Sequence, residues 1–139
     1  MTFEELDNAL PNGFHDAKMR EISLDLISPL ITIKMDLLVG LPNTPDPDAY
    51  RQGTINVVAP CLFVVDPPDP DYPFAPDGLP VNVSGWIVRS GENAKLDVLL
   101  KRLPPETTVF GFFLDDWNSY TYIAGARVEF SWDDGGTLG

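Results

Sequence analysis

The stretch Asn12 to Gly40, NGFHDAKMREISLDLISPLITIKMDLLVG, decides how the rest of the chain is read. It holds the only histidine in a turn, followed by two runs that alternate apolar and polar residues. After Met19, residues Ile22, Leu24 and Leu26 fall on one side of an extended chain and Glu21, Ser23 and Asp25 on the other, because successive strand side chains point to opposite faces. Beyond a break at Ser28-Pro29, Ile31, Ile33, Met35, Leu37 and Val39 alternate with Thr32, Lys34, Asp36 and Leu38. Two such runs predict an antiparallel hairpin with one apolar and one wet face. In some register the wet face brings Asp25 near Lys34 or Asp36, as solvated charges that are worth little.

Toward the N-terminus, Thr2 with Glu5 three residues later has the spacing of a capping box. Phe3 and Leu6 then share a face of a short helix that Pro11 ends, and Asn12-Gly13 is a turn signal. Toward the C-terminus, a Pro/Asp-rich loop at 41–52 leads to an apolar strand, Thr54 to Val65, in which Pro60 demands an edge or a bulge. The second such loop, Asp66 to Pro80, exceeds the about 12–15 residues that structureless connections rarely pass without a function. A fourth strand carries Val81, Val83 and Ile87, with Gly85 as a bulge or a close backbone approach. Leu96, Leu99, Leu100 and Leu103 follow the stripe of an amphipathic helix ended by Pro104-Pro105. Thr108 to Leu114, Tyr120 to Ala124 and Val128 to Trp132 read as further strands, separated by DDWNS and by Gly125, before a tail with little apolar surface. The expected fold is mainly β: an antiparallel curled sheet or sandwich of six to seven strands with one or two short helices, a single β-rich domain over residues 1–139.

At 139 residues a single core is feasible, and 44% apolar with 11% aromatic residues argue against disorder despite fourteen prolines. A formal charge of −12 repels phosphate backbones and anionic lipid, so nucleic acid and membrane are poor partners. A basic protein, a cation or plain solubility fit it. The lone Cys61 lies in the apolar run CLFVV and reads as a small packed hydrophobe. No basic segment followed by a long apolar run opens the chain, so a cytoplasmic location is expected.

His15 is the one side chain suited to proton transfer near neutral pH, and Asp16 beside it suits orienting an imidazole or ligating a cation. The structural alternative has both bonding backbone groups at the turn. Asp115, Asp116 and Asn118 with Trp117 form a second polar set, for which a turn is the plain reading. That set lacks the spacing of a calcium loop. The proline-loop aspartates Asp46, Asp48, Asp66, Asp69, Asp71 and Asp77 offer oxygen ligands to a cation at spacings too irregular to be specific, while Tyr50, Tyr72 and Phe74 beside them supply aromatic anchors of the kind protein interfaces favour. A phosphate loop, zinc-spaced ligands and a serine elbow are all missing, so no catalytic residue, metal or cofactor is assigned.

The segments LPNGFHDAKMREISLDLISPLITIKMDLLVG and FGFFLDDWNSYTYIAGARVEF resemble a bacterial group of small uncharacterised proteins with a Leu/Phe-His-Asp-Ala segment and a C-terminal Trp-Asn pair. The first segment is also similar to part of the immunity-protein families of polymorphic toxin systems. The resemblance marks His15, Asp16, Trp117 and Asn118, leaves the proline loops uncovered, and implies neutralisation of a toxin by binding; an acidic surface suits a basic toxin. The leading expectation is therefore a non-enzymatic, immunity-like binding protein. The alternative is a small-molecule-binding or hydrolytic domain with His15 and Asp16 at a pocket, and a third reading is a homo-oligomer paired through an exposed strand edge.

Overall fold

A computed structural model describes residues 1–72 and 77–138. The element order is α1 (Phe3–Ala9), β1 (Lys18–Asp25), β2 (Leu30–Leu38), β3 (Tyr50–Val65), β4 (Val81–Val88), α2 (Ala94–Leu100), β5 (Val109–Leu114), a 3-10 turn (Asp115–Trp117) and β6 (Ser119–Trp132). The mainly β class holds, with antiparallel strands and two short helices, but the strands close into a barrel in the order β1-β2-β3-β6-β5-β4. A curled sheet or open sandwich is therefore corrected to a closed barrel.

Two long strands make the closure. β3 spans 16 residues and β6 spans 14, and β6 continues through Gly125, where the sequence suggests a break or a bend. Both bend at one place, where Pro60 faces Gly125 and the register shifts by a bulge before Leu62. Ala59 adopts a φ of 49°, a left-handed conformation uncommon for a residue with a side chain. A Cβ on Gly125 would lie 2.6 Å from Val57 Cγ1 and 2.9 Å from the Val58 oxygen, so the crossing requires glycine. The two long strands thus join the meanders β1-β2-β3 and β4-β5-β6, and the far seam closes through Lys18 with Asn82 and Met19 with Val81.

The interior holds Ile31, Ile33, Met35, Leu37, Ile55, Val57, Phe110, Phe112 and Ile123, all essentially buried. Helix α1 plugs one end. Its capping box forms as its sequence dictates, with the Glu5 amide donating to Thr2 Oγ1 at 3.1 Å and the Thr2 amide to Glu5 Oε2 at 2.8 Å. Phe3 stacks on Phe110 with centroids 4.8 Å apart, and Phe14 meets Phe112 edge-on at 5.4 Å. Gly85 is the close approach that its position suggests: a Cβ there would lie 2.7 Å from Phe110 Cε1. Helix α2 covers the outer face, where Leu96 packs with Val88, Val109, Tyr122 and Ala124. It ends at Leu100, and Leu103 still packs against the same cluster from the turn beyond.

The β1-β2 hairpin pairs as expected, Asp25 opposite Leu30, yet its outer half leaves the barrel: Leu24 is 40%, Leu26 80% and Ile27 96% exposed. Period two gives a face; it does not say where along the strand the core stops. Asp25 caps the turn by accepting from the Ile27 and Ser28 amides, Lys34 pairs with Glu21, and Asp36 is nearly buried and holds Arg20 through two bonds of 2.6 and 2.9 Å. The C-terminal residues are held by polar contacts, Arg51 to Asp134 and Thr54 to Asp133. No helix among the described residues is long and apolar enough to cross a membrane.

Candidate functional site

The turn between α1 and β1 is held by two side chains other than His15. Asp7 accepts the Phe14 amide at 2.8 Å, and Asn12 Nδ2 donates to the Leu38 and Gly40 oxygens at 2.9 and 2.8 Å. Gly13 takes a φ of 56° there, and Asp16 a φ of 54°. Tyr50 then clamps the turn from β3, its hydroxyl donating to the Asp16 oxygen at 2.9 Å while Lys18 Nζ lies 4.7 Å from its ring centroid. With the backbone satisfied by these partners, His15 and Asp16 are free to point outward. Their side chains are 78% and 63% exposed and meet each other, Nε2 to Oδ2 at 3.2 Å. The structural alternative, in which both bond backbone groups, is thus corrected.

His15 and Asp16 line a concavity of about 690 Å³. Asp7 and Asn12 form the wall beside them, Asn82 to Gly85 of β4 the opposite wall, and Asp115 of the β5-β6 turn the end. Three carboxylates and one imidazole line it, with no lysine or arginine among the lining residues. Partial burial, and then the charge of neighbouring Asp116, raises the Asp115 pKa above its ordinary 3.8. Such a site is unfavourable for two anions and favourable for a cation. Ser84 also lines it, and no hydrogen bond joins Ser84 to His15 among the described residues.

Trp117 and Asn118 sit in the same β5-β6 turn as Asp115 but do not line the concavity. Asn118 adopts a φ of 46° and donates from Nδ2 to Asp69 Oδ2 at 2.8 Å, while the Asp69 amide donates to the Trp117 oxygen at 2.9 Å. The second proline loop is thereby stapled to this turn. Trp117 is half-buried against the core, Tyr72 is 44% exposed in the stapled loop, and Phe74 lies outside the described residues. Tyr50 joins the His15 side, Tyr72 joins the Asn118 side, and Asp115 links the two.

A second concavity, of about 440 Å³, lies on the outer face of β4-β5-β6 under α2. Trp86, Phe113, Tyr120 and Tyr122 gather there, with Trp86 edge-on to both tyrosines at 5.6 and 6.2 Å. Glu92 accepts from Trp86 Nε1 at 3.0 Å and fixes the indole. None of these residues is singled out by sequence reasoning. The available signal is that Phe113, Tyr120 and Tyr122 alternate with the core residues Phe112, Thr121 and Ile123, which puts aromatics on the outer face. Cys61 is exposed in the Pro60 bulge instead of packed in the core, and its surroundings raise its thiol pKa. No group of three potential metal ligands occurs among the described residues.

Comparison with protein-family models, with curated proteins and with solved structures finds no match.

Proposed function

We propose that the chain is a non-enzymatic binding protein whose acidic barrel end receives a basic partner protein. The observation that carries this reading is the concavity in which Asp7, Asp16 and Asp115 stand without a lysine or arginine among the lining residues. An uncompensated anionic hollow attracts a cationic surface and speeds its association. The loop stapled by Asn118 adds Asp69 and the exposed Tyr72 beside this end, an acidic and aromatic rim of the kind interfaces use. The finer reading is immunity-like: the partner is a basic toxin, met in the bacterial cytoplasm and silenced by being covered. Titration against a basic nuclease toxin domain tests this. Saturable binding that weakens steeply between low and physiological salt is expected, and no binding at either salt overturns the proposal.

One observation favours a second reading, a small-molecule site. His15 and Asp16 line a hollow together with Ser84, and no hydrogen bond ties the imidazole to the backbone among the described residues. A hydrolytic version expects turnover of simple esters that disappears in His15→Ala; a rate unchanged by that substitution ends it.

A further inference from the structure

The outer face of β4, β5 and β6 holds a bed of aromatic rings around one glycine. Cross-strand partners share a face, and the register aligns Trp86 with Gly111 and Tyr122, one row from Phe113 with Tyr120. Gly111 has no side chain to fill its place, and the Trp86 indole lies over it, so that a Cβ there would sit 2.9 Å from Trp86 Cζ2. The result is the concavity of about 440 Å³ under α2, a size usual for a small-molecule site. Tyr120 is 41% exposed, Trp86 and Phe113 are half-buried, and Glu92 stands in solvent at the rim, so an occupant reaches all four.

We propose that this concavity binds a small molecule through a quaternary trimethylammonium group, which rests on Trp86, Phe113 and Tyr120 and is balanced by Glu92. Charge selects a cation. No lysine or arginine lines the concavity, and Glu92 has no ion-pair partner among the described residues. Elsewhere the chain's own cations cover aromatic rings, Lys18 on Tyr50 and Arg51 on Trp132, whereas none covers these rings among the described residues. The negative faces of such rings attract a cation. Burial first, and after it the charges of Asp66 and Glu92, raise the Tyr122 phenol above its ordinary range, in keeping with negative charge that is not compensated. The polar contacts select a quaternary ion over a sugar or a primary amine. Glu92 already accepts from Trp86 Nε1 at 3.0 Å and from the Arg89 amide at 3.1 Å. Asn93 caps α2 through Oδ1 and donates from Nδ2 to the Tyr122 hydroxyl at 3.5 Å. A primary amine brings three donors that need acceptors, and a trimethylammonium group brings none, so negative charge and π surface suffice for it.

Calorimetric titration with choline and, separately, with dimethylbutanol, in which carbon replaces the charged nitrogen, tests the site. Saturable choline binding is expected in the wild type, with the neutral isostere about tenfold weaker or more. Tyr120→Leu and Glu92→Gln, both at exposed positions, should each weaken choline about three- to thirtyfold while melting as cooperatively as the wild type. If one of the two fails to fold, the other decides. Asp16→Asn with Asp115→Asn alters the acidic concavity, which shares no lining residue with this one, and should leave choline affinity unchanged. This test therefore stands apart from that of the basic partner. Absence of saturable choline binding, equal affinity for the isostere, unchanged choline affinity in a folded Tyr120 or Glu92 variant, or loss of choline in the Asp16 and Asp115 variant overturns the proposal. Sedimentation of the protein with phosphatidylcholine vesicles would move the group to a lipid headgroup and overturn a small-molecule ligand.

Discussion

Asp115 is where stability and binding pull against each other. Its carboxyl is raised because it is partly buried and sits beside Asp116, so the folded state keeps the proton to a higher pH than the unfolded chain does. The sign follows: stability from this group falls as pH rises from the ordinary 3.8 through the raised value, and the charged form opposes folding at neutral pH. Asp115→Asn is expected to be more stable at pH 7 by about 0.5 kcal/mol or less, the effect being small because most of the residue stays in solvent, which screens its charge. The same variant should bind a basic partner more weakly, and urea melts beside a binding titration check both outcomes. Asp134 has the opposite sign. Its bonds with Arg51 lower its pKa, so its contribution is present above the ordinary carboxylate range and lost as pH falls through the lowered value. At Gly85, alanine would press its Cβ on Phe110, and Gly85→Ala should cost about 1–3 kcal/mol in a denaturant melt.

At the scale of elements, the capping box of α1 and the β1-β2 hairpin behave differently under mutation. Thr2→Ala removes the side-chain acceptor of the Glu5 amide and should cost about 1 kcal/mol, since α1 is the plug that carries Phe3 and Leu6 into the barrel end. The double change Leu26→Ser and Ile27→Ser should stay within about 0.5 kcal/mol of the parent in thermal melts, because that tip lies outside the core. Both elements are legible in sequence because their signals are local: a three-residue spacing and a period of two. The end of the core along β1 is not, as it depends on how far β2 and β4 cover the strand. Gly125 is similarly ambiguous in sequence. A glycine in a strand pattern signals a break or a bend equally, and only Pro60 across the ladder makes it a bend.

At the scale of the whole molecule, closure and the site share one cause. The β1-β4 seam brings the α1-β1 turn against the start of β4, and the β5-β6 hairpin sets Asp115 at the same end. Sequence identifies His15 and Asp16 as a pair, and DDWNS as a turn, yet their meeting around one hollow is a long-range consequence of barrel topology. For the same reason it points to Trp117 and Asn118 where the lining residue is Asp115, and it passes over the aromatic face of Trp86, Phe113, Tyr120 and Tyr122, which forms only when three strands align. Charge behaves differently. Five of the nine lysines and arginines stand outside residues 89–106, against 18 of the 21 acidic residues, so the barrel apart from α2 and its flanks is strongly anionic. Long-range attraction of a basic partner is therefore expected to be general, while a specific complex must read the concavity.

The most direct measurement compares charge-matched variants in a titration with a basic nuclease toxin domain at physiological salt. Asp16→Asn with Asp115→Asn removes two charges from the concavity, and Asp46→Asn with Asp48→Asn removes two from an exposed loop that does not line it. Binding by the acidic hollow requires the first pair to lose at least tenfold in affinity and the second pair to lose much less. Equal losses in the two variants would reduce the interaction to unspecific charge and contradict the proposed site.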